Sequence, residues 1–415
     1  MTQFLTRNLD TGLLTEILGL SNSDAFGRQR VSSPHTVFYL THTFDKQDIY
    51  VEELLTSGAT TAHLPNESSV RLSVTTTVGS RAVRQTKRYF RHQPGKSMLV
   101  LLSGVLCESF NSGVRSRIGL FDDDDDKTVD SGGNGIFFEY SGNELKIVKR
   151  SFTTGTQVDT VVTRGFWSEG DPLDGTGASQ INIDTTKIEL FWIDLEWLGA
   201  GTVRCGIFYE GRPIHLHSFH AANLLPSVYM TSAILPIRYE IEQITGTAAA
   251  NMKHTCATVI SEGGHDISGK IFSRPMTSNR TVSAASFLPL ISIRLRSAYN
   301  RAKLVPTLVD LLTTSAQNLI YQVVVGGTLT GGTWLNHDTT NSAVEYNISS
   351  TAISGGRIIN SGYVDSVNRR SQVSVNTFDD VPNVSIAGVR ESVTLAVIAT
   401  GNANTYGAME WREEL

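Results

Sequence analysis

Residues 191–197 read FWIDLEW, inside the longer stretch 167–242, WSEGDPLDGTGASQINIDTTKIELFWIDLEWLGAGTVRCGIFYEGRPIHLHSFHAANLLPSVYMTSAILPIRYEIE. Side chains of an extended chain alternate between two faces. Phe191, Ile193, Leu195 and Trp197 therefore share one face, and Trp192, Asp194 and Glu196 the other. The first set is an aromatic and aliphatic core face, so the segment reads as a β-strand and not a helix. Leu198-Gly199-Ala200-Gly201 turns the chain, and the next strand begins at Thr202.

The same period recurs outward from this point. Val70, Leu72 and Val74 alternate with Arg71, Ser73 and Thr75, while 98–105 is the continuous apolar run of a strand buried on both faces. Further strands are expected at 117–121, 135–140, 145–150, 158–164, 203–210, 214–219, 228–231, 237–244 and 256–261. With 36 Gly and 11 Pro in 415 residues, the composition suits many short strands joined by tight turns. The chain is too long for one ordinary core. The expected fold is all-β: a jelly-roll, concanavalin-like β-sandwich over 34–270, followed by a second, smaller β-sandwich domain over 271–415. Strands in the second domain are expected at 290–296, 320–325, 343–346, 358–361, 373–375 and 392–399. One helix is expected between them, at 304–312, weakened by Pro306. Residues 1–33 read as an anchoring arm and linker, with Leu5, Leu9, Leu13, Leu14 and Ile17 on a short helix face.

A net charge of −5 gives no basic excess to neutralise phosphates, which argues against nucleic acid as the main partner. No apolar run approaches the roughly 20 residues of a membrane-spanning helix, so no membrane insertion is expected. Cys107, Cys205 and Cys256 have no close spacing and read as buried free thiols.

Three constellations are candidate sites. Asp122, Asp124 and Asp126, in a run of five aspartates, offer hard oxygen ligands for Ca²⁺, although the spacing is not that of an EF-hand. His215 and His217 would share a strand face, with His220 in the following turn, and could hold a transition metal. Ala221, Ala222 and Asn223 stand where the HxH motif of cupins is followed by a glutamate. Two histidines on a solvated strand face explain the pattern equally well. Trp192, Asp194 and Glu196 form a mixed aromatic and acidic face suited to a subunit contact or a sugar groove. Apart from calcium no cofactor is expected. The strand carboxylates Glu139, Asp194, Glu196, Glu210, Glu240 and Glu242 show no catalytic spacing, so no enzyme is expected.

Several motifs carry a family resemblance in one order: SDAFGRQRVS at 23–32, RQTKRYF at 84–90 followed by QPGKS at 93–97, NGIFFE at 134–139, LDGTG at 173–177, DLEWLG at 194–199, HAAN at 220–223, LPIRYEI at 235–241, VISEGG at 259–264 and IRLRSAY at 293–299. Together they resemble structural proteins of tailed bacteriophages. The resemblance implies a β-rich, non-enzymatic virion subunit in a fibre, a spike, the tail or the capsid surface, and carries no catalytic residues. It implies other virion proteins as partners and a homo-oligomer. A trimer is expected, because fibres and spikes commonly use three-fold symmetry. The alternatives are a carbohydrate-binding module that recognises a host surface glycan, and a capsid decoration protein.

Overall fold

A computed structural model describes residues 5–7, 14–16, 34–123, 133–264, 268–375 and 384–415. The chain divides into two compact units, separated in sequence between residues 266 and 267.

The larger unit is a sandwich of two antiparallel sheets. One has seven strands, in spatial order Val158–Thr163, Glu144–Ser151, Gly135–Ser141, Val114–Phe121, Ile237–Gln243, Arg81–Thr86 and Val51–Thr56. The other has eight: Arg212–Phe219, Val203–Tyr209, Glu189–Leu195, Ser97–Val105, Ala250–Glu262, Ser69–Val74 and Thr60–Leu64, with Pro34–Leu40 paired to the far end of Ala250–Glu262. Alternation builds the core between them. Ile118, Leu120, Ile136, Phe138, Ile237 and Ile241 point inward from the first sheet, and Val100, Leu102, Phe191, Ile193, Val203 and Ile207 from the second. Phe138 and Phe191 meet across the gap with ring centroids 4.6 Å apart. Each such side chain contributes about 1.5–3 kcal/mol when withdrawn from water.

Trp192 lies on the opposite face from Phe191. Across the ladder it pairs with Gly206 on one side and Leu101 on the other. Its indole lies flat against Gly206 and donates Nε1–H to the Ile207 carbonyl at 3.1 Å. A Cβ at position 206 would stand 2.4 Å from the indole and 2.1 Å from the Ile214 carbonyl oxygen. Neither neighbour has room to yield, so Gly206→Ala is expected to cost about 2–3 kcal/mol. The urea midpoint of tryptophan emission should fall accordingly.

The smaller unit is a second β-sandwich. One sheet has five strands: Lys270–Pro275, Ala403–Glu414, Lys303–Thr313 and Arg370–Ser374, with Arg280–Val282 also pairing Ala403–Glu414. The other has six: Leu335–Asn336, Val344–Asn347, Leu288–Leu295, Ser392–Ala399, Leu319–Val325 and Arg357–Val364. Leu290, Ile293, Val323, Leu395, Met409 and Trp411 fill the core.

Three expectations are corrected. The helix expected at 304–312 is the strand Lys303–Thr313, paired on both sides. A register shift between Pro306 and Leu308 lets the ladder pass a residue with no N–H, as bulges do. Of the helix face expected near the N-terminus, Leu5 and Leu14 lie instead in an antiparallel pair, Leu5–Arg7 with Leu14–Glu16, while Leu9, Leu13 and Ile17 lie outside the described residues. Cys256 is exposed, unlike Cys107 and Cys205. A register shift between His254 and Ala257 lifts Cys256 out of the ladder, and its N–H bonds to Ser103 Oγ at 3.1 Å.

Candidate functional site

Trp192, Asp194 and Glu196 do share a face, but that face is closed. They are 3%, 2% and 0% exposed, so none presents a surface for stacking a sugar ring. Glu196 instead backs the imidazole of His92, with its carboxylate 3.2 Å from Nε2.

The histidine pair is separated by a bulge. His215 lies opposite Gly206 and His217 opposite Cys205, so the ladder skips Leu216 and the two-residue period is broken. His215 therefore joins the Trp192 face, with ring centroids 5.7 Å apart, whereas His217 packs edge-on to the core residue Phe219 at 4.5 Å. The His217 ring is also engaged, because Nδ1 accepts the Ser168 N–H at 3.0 Å. Burial, reinforced by the neighbouring His215, pushes His217 down to about 4. Among the described residues no group of three or more His, Cys, Asp or Glu is arranged to hold a metal.

Asp122 is fully buried, and its Oδ1 accepts the Asn134 N–H at 2.7 Å. Asp124 and Asp126, the other candidate calcium ligands, lie outside the described residues.

Asp123 belongs to a lattice of charges on the outer face of the seven-stranded sheet. Glu240 sits between Arg238 at 2.9 Å, Arg81 at 3.2 Å and Arg117 at 3.5 Å. Arg117 also holds Glu139 at 2.8 Å, and Arg150 bridges Asp123 at 3.0 Å and Asp159 at 2.8 Å. Beneath them Phe121, Phe137 and Val148 form a small apolar floor, with the Arg117 and Arg150 guanidiniums each 5.1 Å from the Phe137 ring centre. The alternation around Ile241 reads as a solvated strand, yet Glu240 is 1% exposed. Burial alone would raise the Glu240 carboxyl, but Arg238, Arg81 and Arg117 outweigh it and hold the group well below the usual range. A carboxylate so held carries no proton to donate, which makes it unsuited to general-acid work. Glu189 is the opposite case: burial, then the Asp184 charge, pushes it up to about 7.

The described residues also include a cleft that the sequence did not point to. It is a shallow recess whose enclosed space holds about one water molecule, between the Pro34–Leu40 strand and the Gln93–Lys96 turn. Val37, Phe90 and Met98 supply its apolar wall, and His92, Ser97 and Lys96 its polar one. An aromatic run leads to it from the surface. Tyr50, 39% exposed, packs edge-on to Phe38 at 6.2 Å, and Phe38 packs on Phe90 at 5.1 Å. Behind the polar wall, His92 Nε2 lies 2.7 Å from the Lys96 carbonyl oxygen and 3.2 Å from Glu196. The Tyr229 hydroxyl donates to the Glu196 carbonyl at 2.8 Å and fixes that backbone in turn. A sequence signal that could have found it is Phe90 and His92 beside the Gln93-Pro94-Gly95 turn. Its structural support comes from Glu196, about a hundred residues away.

No protein-family model matches the chain, and no curated protein matches it. Solved structures with partial likeness include peanut lectin with a nine-residue peptide, at TM-score 0.34 and 10% identity over 55% of this chain and 98% of the lectin. A legume lectin-like domain from Entamoeba histolytica gives TM-score 0.32 and 9% identity over 57% and 100%. An endo-1,3-beta-glucanase from Streptomyces sioyaensis gives 0.38 and 8% over 56% and 98%. At TM-scores of this size the likeness says nothing of what this chain binds.

Proposed function

We propose that this chain is a carbohydrate-binding recognition module carried on a tailed-phage particle, and that it works by binding and not by turnover. The observation that carries this reading is the partly exposed aromatic pair Tyr50–Phe38, which packs on the buried Phe90 beside a small recess with one apolar and one polar wall. Sugars present apolar C–H faces and hydroxyls together, and a site for them needs both kinds of wall. The motifs at 84–97, 134–139 and 235–241 support the assignment to a phage particle. Part of the resemblance falls on the site itself, since the motif at 84–90 ends on Phe90 and that at 93–97 ends on Ser97.

The purified chain is expected to retain a subset of glycans on an array of bacterial and host saccharides. Tyr50→Ala removes the outermost ring without touching the core and should weaken that binding about 3- to 10-fold, the equivalent of about 0.5–1.5 kcal/mol. Retention of no glycan in any oligomeric form would overturn the carbohydrate reading. Absence of the chain from purified particles, by mass spectrometry and labelled-antibody imaging, would overturn the virion reading.

A further inference from the structure

We propose that Ser218, His215 and Glu169 form a nucleophile, a base and an orienting carboxylate on the outer face of the eight-stranded sheet, and that they hydrolyse a short-chain carboxylic ester. This activity goes beyond the sugar contact above, uses none of its residues and does not rest on it.

The bulge in the strand Arg212–Phe219 builds the site. In an unbroken strand, residues three apart face opposite sides. Here the ladder skips Leu216, so His215 lies opposite Gly206 and Ser218 opposite Arg204. Gly206 and Arg204 flank the core residue Cys205 and share the face of Trp192 and Asp194. His215 and Ser218 therefore stand together on the outer face, with Ser218 Oγ 3.0 Å from His215 Nε2. The other ring nitrogen, Nδ1, lies 3.7 Å from Glu169 Oε1. Hydroxyl, imidazole and carboxylate in that order are what a serine needs to lose its proton to a base as it attacks. The last contact is loose, as such contacts commonly are before a substrate closes them.

Glu169 is fixed to the strand it serves. Its N–H donates to the Leu216 carbonyl at 3.2 Å. The Ser168 hydroxyl accepts the Ser218 N–H at 2.8 Å and donates to Glu169 Oε1 at 3.1 Å. Glu169 is a positioning residue: it favours the tautomer with the proton on Nδ1, which leaves the Nε2 lone pair to the Ser218 hydroxyl. Burial lowers His215, with the Glu169 charge opposing and the Arg204 charge assisting, so the ring is neutral at pH 7 and able to accept. Arg204 is the fourth member. Residues directly opposite on neighbouring strands have Cβ atoms about 4.5–5.5 Å apart, which sets its side chain beside Ser218. Its guanidinium has no hydrogen-bond or ion-pair partner among the described residues. A cation there meets the negative oxygen that forms when Ser218 adds to a carbonyl.

The reaction needs only the ester and water. Ser218 Oγ bonds to the carbonyl carbon as its proton passes to His215 Nε2, and the carbonyl oxygen takes the negative charge beside Arg204. The ester C–O bond breaks, and the alcohol leaves with the proton from Nε2. Water then gives a proton to Nε2 and adds to the acyl carbon, and Ser218 departs with that proton as the acid is released. Ser218 is 8% exposed, so the acyl chain that reaches it is short. One cation in place of a full set of oxyanion donors suits an ester, whose alcohol leaves more readily than the amine of an amide.

The test uses the full-length chain with 4-nitrophenyl acetate, 4-nitrophenyl octanoate and a fluorophosphonate probe located by peptide mass spectrometry. The probe is expected on Ser218 of the wild-type chain, a result that does not depend on any variant folding. The acetate should be hydrolysed faster than the octanoate. Ser218→Ala should abolish labelling and hydrolysis. His215→Gln and Arg204→Gln should each slow hydrolysis about 100-fold. The rate should rise with pH as His215 loses its proton, and Glu169→Gln should move that midpoint downward, a shift that a merely structural role would not produce. Cys256→Ala, at the exposed thiol, should change neither rate nor labelling. Hydrolysis lost with Cys256→Ala, or no adduct on Ser218, would overturn the proposal. So would side-chain ¹⁵N spectra showing His215 protonated at Nε2 and donating to the His217 carbonyl, which also faces the ring. Faster hydrolysis of the octanoate would overturn the acyl class.

Discussion

Replacing Glu240 by alanine is expected to lower the unfolding free energy of the larger unit by about 3–5 kcal/mol. The cause is not the loss of attraction alone. Arg238, Arg81 and Arg117 all converge on this carboxylate, and Arg238 and Arg117 are 0% and 3% exposed. Taking away the acid leaves guanidiniums buried with their charge uncompensated. An ion array of this kind can contribute little net stability over an apolar replacement, while the removal of one member is severe. The double change Glu240→Leu with Arg117→Met should therefore cost less than the sum of the two single changes, since each removes the other's stranded charge. Urea unfolding followed by tryptophan emission measures all four corners. A Glu240→Ala midpoint equal to that of wild type would show that water reaches the lattice.

The second large effect is acid instability that begins near pH 6.5. His254 is completely buried between the sheets, stacked on Tyr239 at 3.9 Å and edge-on to His42 at 4.6 Å. Neither nitrogen of His254, nor Nε2 of His42, has a hydrogen-bond partner among the described residues. Arg84, paired with Glu53 and bonded to the Lys46 carbonyl, adds a cation to the same interior, and His63 bonds the His42 carbonyl at 2.7 Å. Burial first, then the Arg84 charge, lowers His42 to about 4 and His254 well below its ordinary value. In the unfolded chain both titrate near 6.5, so as the pH falls from there toward 4 the unfolded state takes up protons that the folded state refuses. Stability is whole above that window and declines through it by about 1.4 kcal/mol per pH unit for each histidine, or about 2 kcal/mol each by pH 5. His254→Phe keeps the ring on Tyr239 and should remove about one proton from the slope. Urea midpoints at pH 7 and pH 5 decide the matter, and equal slopes for wild type and variant would refute it. Below about pH 4.5 the ion-paired carboxylates Glu240, Asp123 and Glu53, all lowered in the fold, add to the loss.

The alternation in 191–197 was legible because a two-residue period reports a strand directly, and 98–105 because it is nearly all apolar, although Leu101, Ser103 and Val105 are only half-buried. The period shows that two faces exist and leaves open whether both are covered. Trp192, Asp194 and Glu196 could therefore be read as a face and not as a buried one. The same limit hid the charge lattice, whose Arg115, Arg117, Glu240 and Glu242 alternate as a wetted strand would. Bulges defeat periodicity altogether: one skipped residue, Leu216, parts His215 from His217, and another carries Pro306 through a strand. The cleft needed tertiary structure, since His92 and Glu196 meet only when two strands of the eight-stranded sheet lie side by side.

The strand Pro34–Leu40 pairs with residues 257–262, and the Thr258 hydroxyl bonds the Phe38 carbonyl 220 positions away in the chain. A ribosome adding about 5–20 residues per second needs roughly ten to forty seconds to produce the second partner after the first. For that interval the early strand, with Val37 and Phe38 on it, has no neighbour to close against. The eight-stranded sheet is thus completed only once the larger unit has been made almost in full, and a truncated nascent chain carries an open edge that another nascent copy could capture.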